Sequence, residues 1–251
     1  MIGLGTLVNV ATIVGGSAIG VLLGSRLPEK TNRTVTEALG LLTLVLAGLN
    51  LMSLNDQGFV TAAGQVGTFM IVIFAMLFGT ITGSLLGIER RLESFGGWLQ
   101  QRLSRGTSQS NEARERFITG YVDASLIFAI GPMAILGSIA DGTDHDPNTL
   151  IIKAILDGFA CIAFAASLGW GVAASSITVG LWQGLVTLVA AFAGAFIPGA
   201  MIAAITATGG VLMLAISLRL LNLKPIAVAD MLPALAFAPL LTWGVSAFFG
   251  N

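Results

Sequence analysis

Charge is what this chain has least of. Lys, Arg, Asp and Glu make up 10% of its 251 residues, where a soluble domain carries about 25%. The net charge of −1 says nothing about partners, and nothing beyond charge points to nucleic acid. A single cysteine, Cys161, excludes a disulfide within the chain. It lies in an apolar run, so it does not reveal the redox compartment. A single histidine, His145, sits among Asp141, Asp144 and Asp146. Calcium loops need more ligands at fixed spacing and a closing glutamate, and catalytic zinc takes three protein ligands. The segment reads as a solvated acidic loop, with no metal expected. HExxH, Walker A and serine–lysine arrangements are all missing. An enzyme is therefore not expected, and neither is a cofactor.

What fills the space is apolar. The chain is 55% hydrophobic, with a mean hydropathy of +0.90, and runs of 18 or more apolar residues recur along it. Such runs are long enough to cross a bilayer. The expected fold is an all-α polytopic transmembrane bundle forming one integral membrane domain over 1–251. Eight spans fit: 2–25, 38–54, 66–88, 118–140, 150–174, 177–197, 200–222 and 228–249. Span two is short for a crossing. The N-terminal segment lacks a basic n-region and reads as a retained first span rather than a cleaved signal.

Orientation follows from the few cations. Eleven of the twelve Lys and Arg fall in three segments: 26–37, 89–117 and the turn carrying Arg219 and Lys224. If eight spans alternate, all three share one side, with Lys153 on the other. The positive-inside rule then places both termini outside and the basic loop 89–117 in the cytoplasm. Within that loop Glu93, Trp98, Leu99 and Leu103 are spaced as an amphipathic surface helix, suited to anchoring on anionic lipid.

Two glycine ladders, Gly16-x3-Gly20-x3-Gly24 and Gly79-x3-Gly83-x3-Gly87, are faces for close helix packing. The same faces would serve between subunits, so a homo-oligomer is among the expectations. EALGLLTLVLAGLNLMSL from Glu37 aligns with TATGGVLMLAISLRLLNL from Thr206, and span one aligns with span six, setting Asn9 opposite Gln183. The matched spans run in opposite directions, which suggests an inverted repeat of spans 1–3 against 6–8, a habit of secondary transporters.

The chemistry-bearing residues cluster around the segment from Tyr121 to Gly171. Gly131-Pro132 interrupts one span, because proline removes a backbone donor and clashes with the preceding turn. Lys153 and Asp157 lie one turn apart inside the next, after a helix start at Pro147. Ionisable groups at membrane depth are costly and mark ion or solute pathways. The opposing reading is a packing pair, with Lys153 snorkelling outward. Asn9 and Gln183 should face the bundle interior, as interhelical glue or as pore lining. Asp123 and Asp230 read as helix caps. Pro225 should stop span seven, and Pro233 and Pro239 should break span eight.

LVNVATIVGGSAIGVLLGSRLPE, GPMAILGSIADG, KAILDGFACIAFAASLGWGV, WQGLVTL, GGVLMLAISLRLLNLK and DMLPALAFAP together resemble the YqgA/YdfK-like bacterial inner-membrane proteins, the family of domain of unknown function 554. The resemblance covers nearly the whole chain and includes Asn9, Gly131, Pro132, Lys153, Asp157, Gln183 and Pro233. Members often carry asparagine where this chain has Asp230, which the resemblance implies is not an essential acid. It implies a multi-pass protein of the bacterial inner membrane, and it names no substrate. The expected function is a transporter or channel for a small ion or small polar solute. Its path would lie between spans one, four, five, six and eight, lined by Asn9, Asp157 and Gln183, tuned by Lys153, and opened at Gly131-Pro132 and Pro233. The expectation from another class is a scaffold or accessory subunit that conducts nothing. Lipid is the one partner common to both.

Overall fold

A computed structural model describes residues 2–25, 28–103, 111–143, 145–193 and 198–249. Among them the helices are α1 (Leu4–Gly24), α2 (Glu29–Leu51), α3 (Gln57–Ala63), α4 (Gln65–Leu86), α5 (Ile88–Leu103), α6 (Asn111–Ile130), α7 (Pro132–Thr143), α8 (Asn148–Leu168), α9 (Gly171–Ala193), α10 (Gly199–Leu220) and α11 (Ala234–Phe249). Short 3-10 turns occupy Met52–Asn55 and Ala229–Met231. No strand occurs among the described residues. Among the described residues seven helices are long and apolar enough to cross a membrane, or eight if α6 and α7 form one bent span.

The burial pattern suits a lipid solvent. Phe192 is 88% exposed and Leu85 84%, while Asn9 and Gln183 are fully buried. In water that arrangement would be inverted; in a bilayer the apolar side chains face lipid and the polar ones turn inward.

Several boundaries depart from the sequence expectations. The second span is not short: α2 continues N-terminally through charged residues to Glu29, where exposed Arg33 and Glu37 pair at i,i+4. The fourth is not one helix. Gly131-Pro132 ends α6 and starts α7, and the two axes differ by 60°. The segment 89–117 is mostly helix, with Leu99 and Gln100 on the buried side of α5 and Trp98 exposed. Its 104–110 portion lies outside the described residues. Asp123 lies well inside α6, fully buried, and so does not cap that helix. Pro239 sits inside α11 without ending it, and α10 ends at Leu220, before Pro225.

The chain divides into two compact units, Met1–Leu39 with Leu92–Ala195, and Gly40–Arg91 with Phe196–Asn251. In the first, α1 and α8 run parallel in near backbone contact. A Cβ on Gly16, Gly20 or Gly24 would collide with the carbonyl oxygens of Gly158, Ile162 and Ala166 in turn. Without Cβ atoms the glycine Cα–H groups meet those carbonyls directly, as in small-xxx-small interfaces. In the second, Gly79 packs on the backbone of Ala234, and Gly83 packs on the Asp230 carbonyl. Gly87 plays a different part, as the left-handed cap of α4 with φ 60°. The second unit centres on Phe59, Ile71, Ala75, Ala203, Ala204 and Ala238.

Overpacking a tight interface typically costs about 1–3 kcal/mol. Gly20→Ala is therefore expected to lower the melting temperature of the protein in nanodiscs, while Gly15→Ala, which meets nothing within 4 Å, leaves it unchanged. Equal melting of the two variants would remove the α1–α8 interface from the determinants of stability.

Candidate functional site

In the first unit the polar side chains of α1, α8 and α9 meet in the buried interior. Asn9 Nδ2 donates to Gln183 Oε1 at 2.9 Å, and Asn9 also lies within hydrogen-bonding reach of Asp157. Asn9 Oδ1 and Gln183 Nε2 have no partner. The bond uses one acceptor and one donor of the pair and leaves one of each open.

Lys153 Nζ donates to Asp157 Oδ2 on the same face of α8. Both side chains are buried, so Lys153 does not snorkel outward. Its ammonium lies 6.0 Å from the centroid of the Phe128 ring, and Phe164 sets its ring edge-on to Phe128, with centroids 6.1 Å apart. Phe128 belongs to the last turn of α6, just before the break at Gly131. An added Cβ at Gly131 would meet nothing within 4 Å.

Thus Asn9, Gln183, Lys153 and Asp157, four of the residues singled out from the sequence, come together in one buried cluster. Gly131 and Pro132 mark the helix break that follows Phe128. Pro233 belongs to the second unit, where it separates the 3-10 turn Ala229–Met231 from α11.

A further carboxylate was hidden in the acidic loop. Asp141 is part of α7 and fully buried, not solvated. It faces the Gly3 and Gly5 amides at the start of α1, although neither oxygen completes a well-formed hydrogen bond. A helix N-terminus favours negative charge, and α1 has no side-chain cap of its own. Of the loop's other residues, Asp146 accepts from the Asn148 amide at 3.0 Å, His145 has a left-handed φ of 56°, and Asp144 lies outside the described residues. No group of three His, Cys, Asp or Glu positioned to hold a metal occurs among the described residues.

The second unit has a network that sequence reasoning missed. Glu89 Oε1 accepts from Arg219 Nη1 at 2.6 Å, and Oε2 accepts from the Ala229 amide at 2.6 Å. The Glu89 amide in turn donates to Asp230 Oδ1 at 2.8 Å. Asp230 therefore caps α5 rather than its own helix, and Glu89 caps the 3-10 turn in return. The available signal was Glu89 in the first turn of a helix, a position that orphan amides make favourable for acids.

At one end of the first unit, Arg116 Nε donates to the Ser167 carbonyl at 2.7 Å, and Nη2 donates to that of Ala166 at 3.3 Å. This satisfies the C-terminal carbonyls of α8. Tyr121 and Thr178 share a hydroxyl–hydroxyl bond of 2.6 Å.

Lipid-facing helices around a buried polar cluster and a helix break define an α-helical, multi-pass membrane protein. The family model described as Protein of unknown function (DUF554) matches residues 4–243. The chain belongs to that family. It is 29% identical to Uncharacterized protein YqgA of Escherichia coli (strain K12) over 246 residues, covering 98% of this chain and 99% of the relative. It is 27% identical to Uncharacterized membrane protein YdfK of Bacillus subtilis (strain 168), covering 97% of each. No solved structure matches the chain.

Removing one partner from a buried ionic network costs about 3–5 kcal/mol, so Glu89→Ala should unfold at markedly lower temperature than the parent. Asp230→Asn keeps an oxygen for the Glu89 amide and should cost about 1 kcal/mol or less. Thermal melts of the two variants in the same lipid check the ranking, and a reversal would refute the reciprocal cap.

Proposed function

We propose that this protein is a transporter or channel for a small ion or small polar solute, with its path through the first unit. The observation that carries the reading is the cluster of Asn9, Gln183, Lys153 and Asp157, which is buried, retains an open donor and an open acceptor, and lies beside the α6–α7 break. A bilayer bundle needs none of these to pack, and each costs free energy in an apolar interior. Broken helices in transporters free backbone groups at the binding level. The cluster is small, which favours a small solute over a sugar or peptide.

The inverted repeat belongs to the same proposal. Asn9 and Gln183, equivalent by alignment, bond to each other. In the second unit Gly40 faces Leu220 and Leu221, while Gly210 faces Ala47 and Leu51. Here α2 and α10 pack antiparallel, as a two-fold axis between equivalent helices requires, and the aligned partner of Gly40 is Gly209, next to Gly210. The proposed setting is the bacterial cytoplasmic membrane, with both termini outside and segment 89–117 in the cytoplasm. Supporting it are the side-specific Lys and Arg, the even span count when α6–α7 crosses once, and the bacterial relatives, one of which is named a membrane protein. Reporter fusions at the two termini should both report the outside; termini on opposite sides would refute the eight-span topology.

A conducting-free scaffold is the second reading, favoured by the fact that Lys153 and Asp157 already satisfy each other. Flux separates the two. Wild-type protein in sealed proteoliposomes should move at least one solute from a panel of protons, alkali cations, small anions and small metabolites. Asp157→Asn should move none while staying monodisperse. A scaffold predicts no flux from either, and predicts that Lys153→Met with Asp157→Leu folds normally, since apolar replacement of a buried pair is often neutral or stabilising.

A further inference from the structure

Within the proposed path, the position of the Lys153 ammonium has the make-up of a ligand site. A carboxylate, Asp157, supplies the opposite charge. The Phe128 ring, 6.0 Å away, supplies a π face, and Phe164 holds that ring from the side. Asn9, within hydrogen-bonding reach of Asp157, keeps a buried amide oxygen with no partner. Carboxylate, aromatic face and a neutral acceptor together suit a cation that carries N–H donors. Hard metal cations select cages of several oxygens, and here a ring stands where such a cage would need ligands.

We infer that this is an ammonium site, that the solute it takes is a small primary ammonium compound, and that Lys153 is its tethered occupant between solutes. This rests on the transport reading above. The role of Lys153 follows from the cost of an isolated buried carboxylate. When the solute leaves, the lysine returns and Asp157 is never left without a cation. Solute and lysine thus compete for one place, and the unpartnered Gln183 Nε2 beside Asn9 is left to a polar group elsewhere on the solute.

The test uses the full chain in two assays. In proteoliposomes, wild-type protein should take up labelled methylammonium, and excess ethylammonium should compete while tetramethylammonium, which has no N–H, should not. Uptake by Asp157→Asn should be lost. In melts, Lys153→Ala removes the atoms of n-propylammonium, so n-propylammonium should raise its melting temperature and n-propanol at equal concentration should not. Wild-type flux of another solute through Asp157, with methylammonium neither moving nor competing, overturns the ammonium assignment and leaves the path intact. Absence of flux for every solute overturns the path and this inference with it. Equal stabilisation of Lys153→Ala by n-propylammonium and n-propanol overturns the tethered-occupant role, and that arm stands even if Asp157→Asn fails to fold.

Discussion

Three carbonyls of α8 point at three glycines of α1, and the geometry of the first unit follows from that approach. Helices usually keep 8–10 Å between axes because side chains intervene. With no Cβ on Gly16, Gly20 or Gly24, α1 lies against the α8 backbone, and the residues one and two turns further along the same faces are brought within polar reach. Asn9 is one of them. Its contacts with Gln183 and Asp157 require helices held this closely, because a short amide side chain cannot span a wider gap. The association costs little in lipid, where apolar side chains gain nothing from burial and packing of small residues supplies the attraction.

The second unit meets the same scarcity of water with a different device. Its tight contact, Gly83 on Asp230, is backed by an exchange of caps: Glu89 serves the turn at Ala229, and Asp230 serves the start of α5. Arg219 supplies the countercharge. Backbone donors at helix ends cannot be left empty in a bilayer, and two carboxylates with one guanidinium close this corner.

Much of this was visible in the order of residues, and the reasons for the gaps are physical. The membrane class, the glycine faces and the break at Gly131-Pro132 were legible because each is local: run length, i,i+4 spacing and a missing donor need no knowledge of partners. The inward placing of Asn9 and Gln183 followed from the cost of amides in lipid. The partners of acids were a different matter. Asp141 read as solvated because its neighbours Asp144 and Asp146 are polar, yet the helix begun at Pro132 continues past it and carries it into the interior. Asp230 was legible as a cap but not as the cap of a distant helix, since sequence spacing holds no information on which N-terminus a carboxylate will meet. Glu89 was overlooked for the same reason, being one acid in a segment dominated by arginine. Phe128 passed as one more apolar residue until Lys153 was seen beneath its ring.

Lys153 and Asp157 belong to one helix, one turn apart. Had the two charges come from different helices, any sliding between those helices would separate them and carry a net charge through the electric field of the membrane, work of about 2.3 kcal/mol per charge for each 100 mV crossed. On α8 they travel together. A rigid shift of that helix along the membrane normal would carry a dipole and no net charge, so a uniform field would do no net work on the pair. The pair thereby leaves this stretch of α8 without net charge, although it carries two ionised side chains at membrane depth.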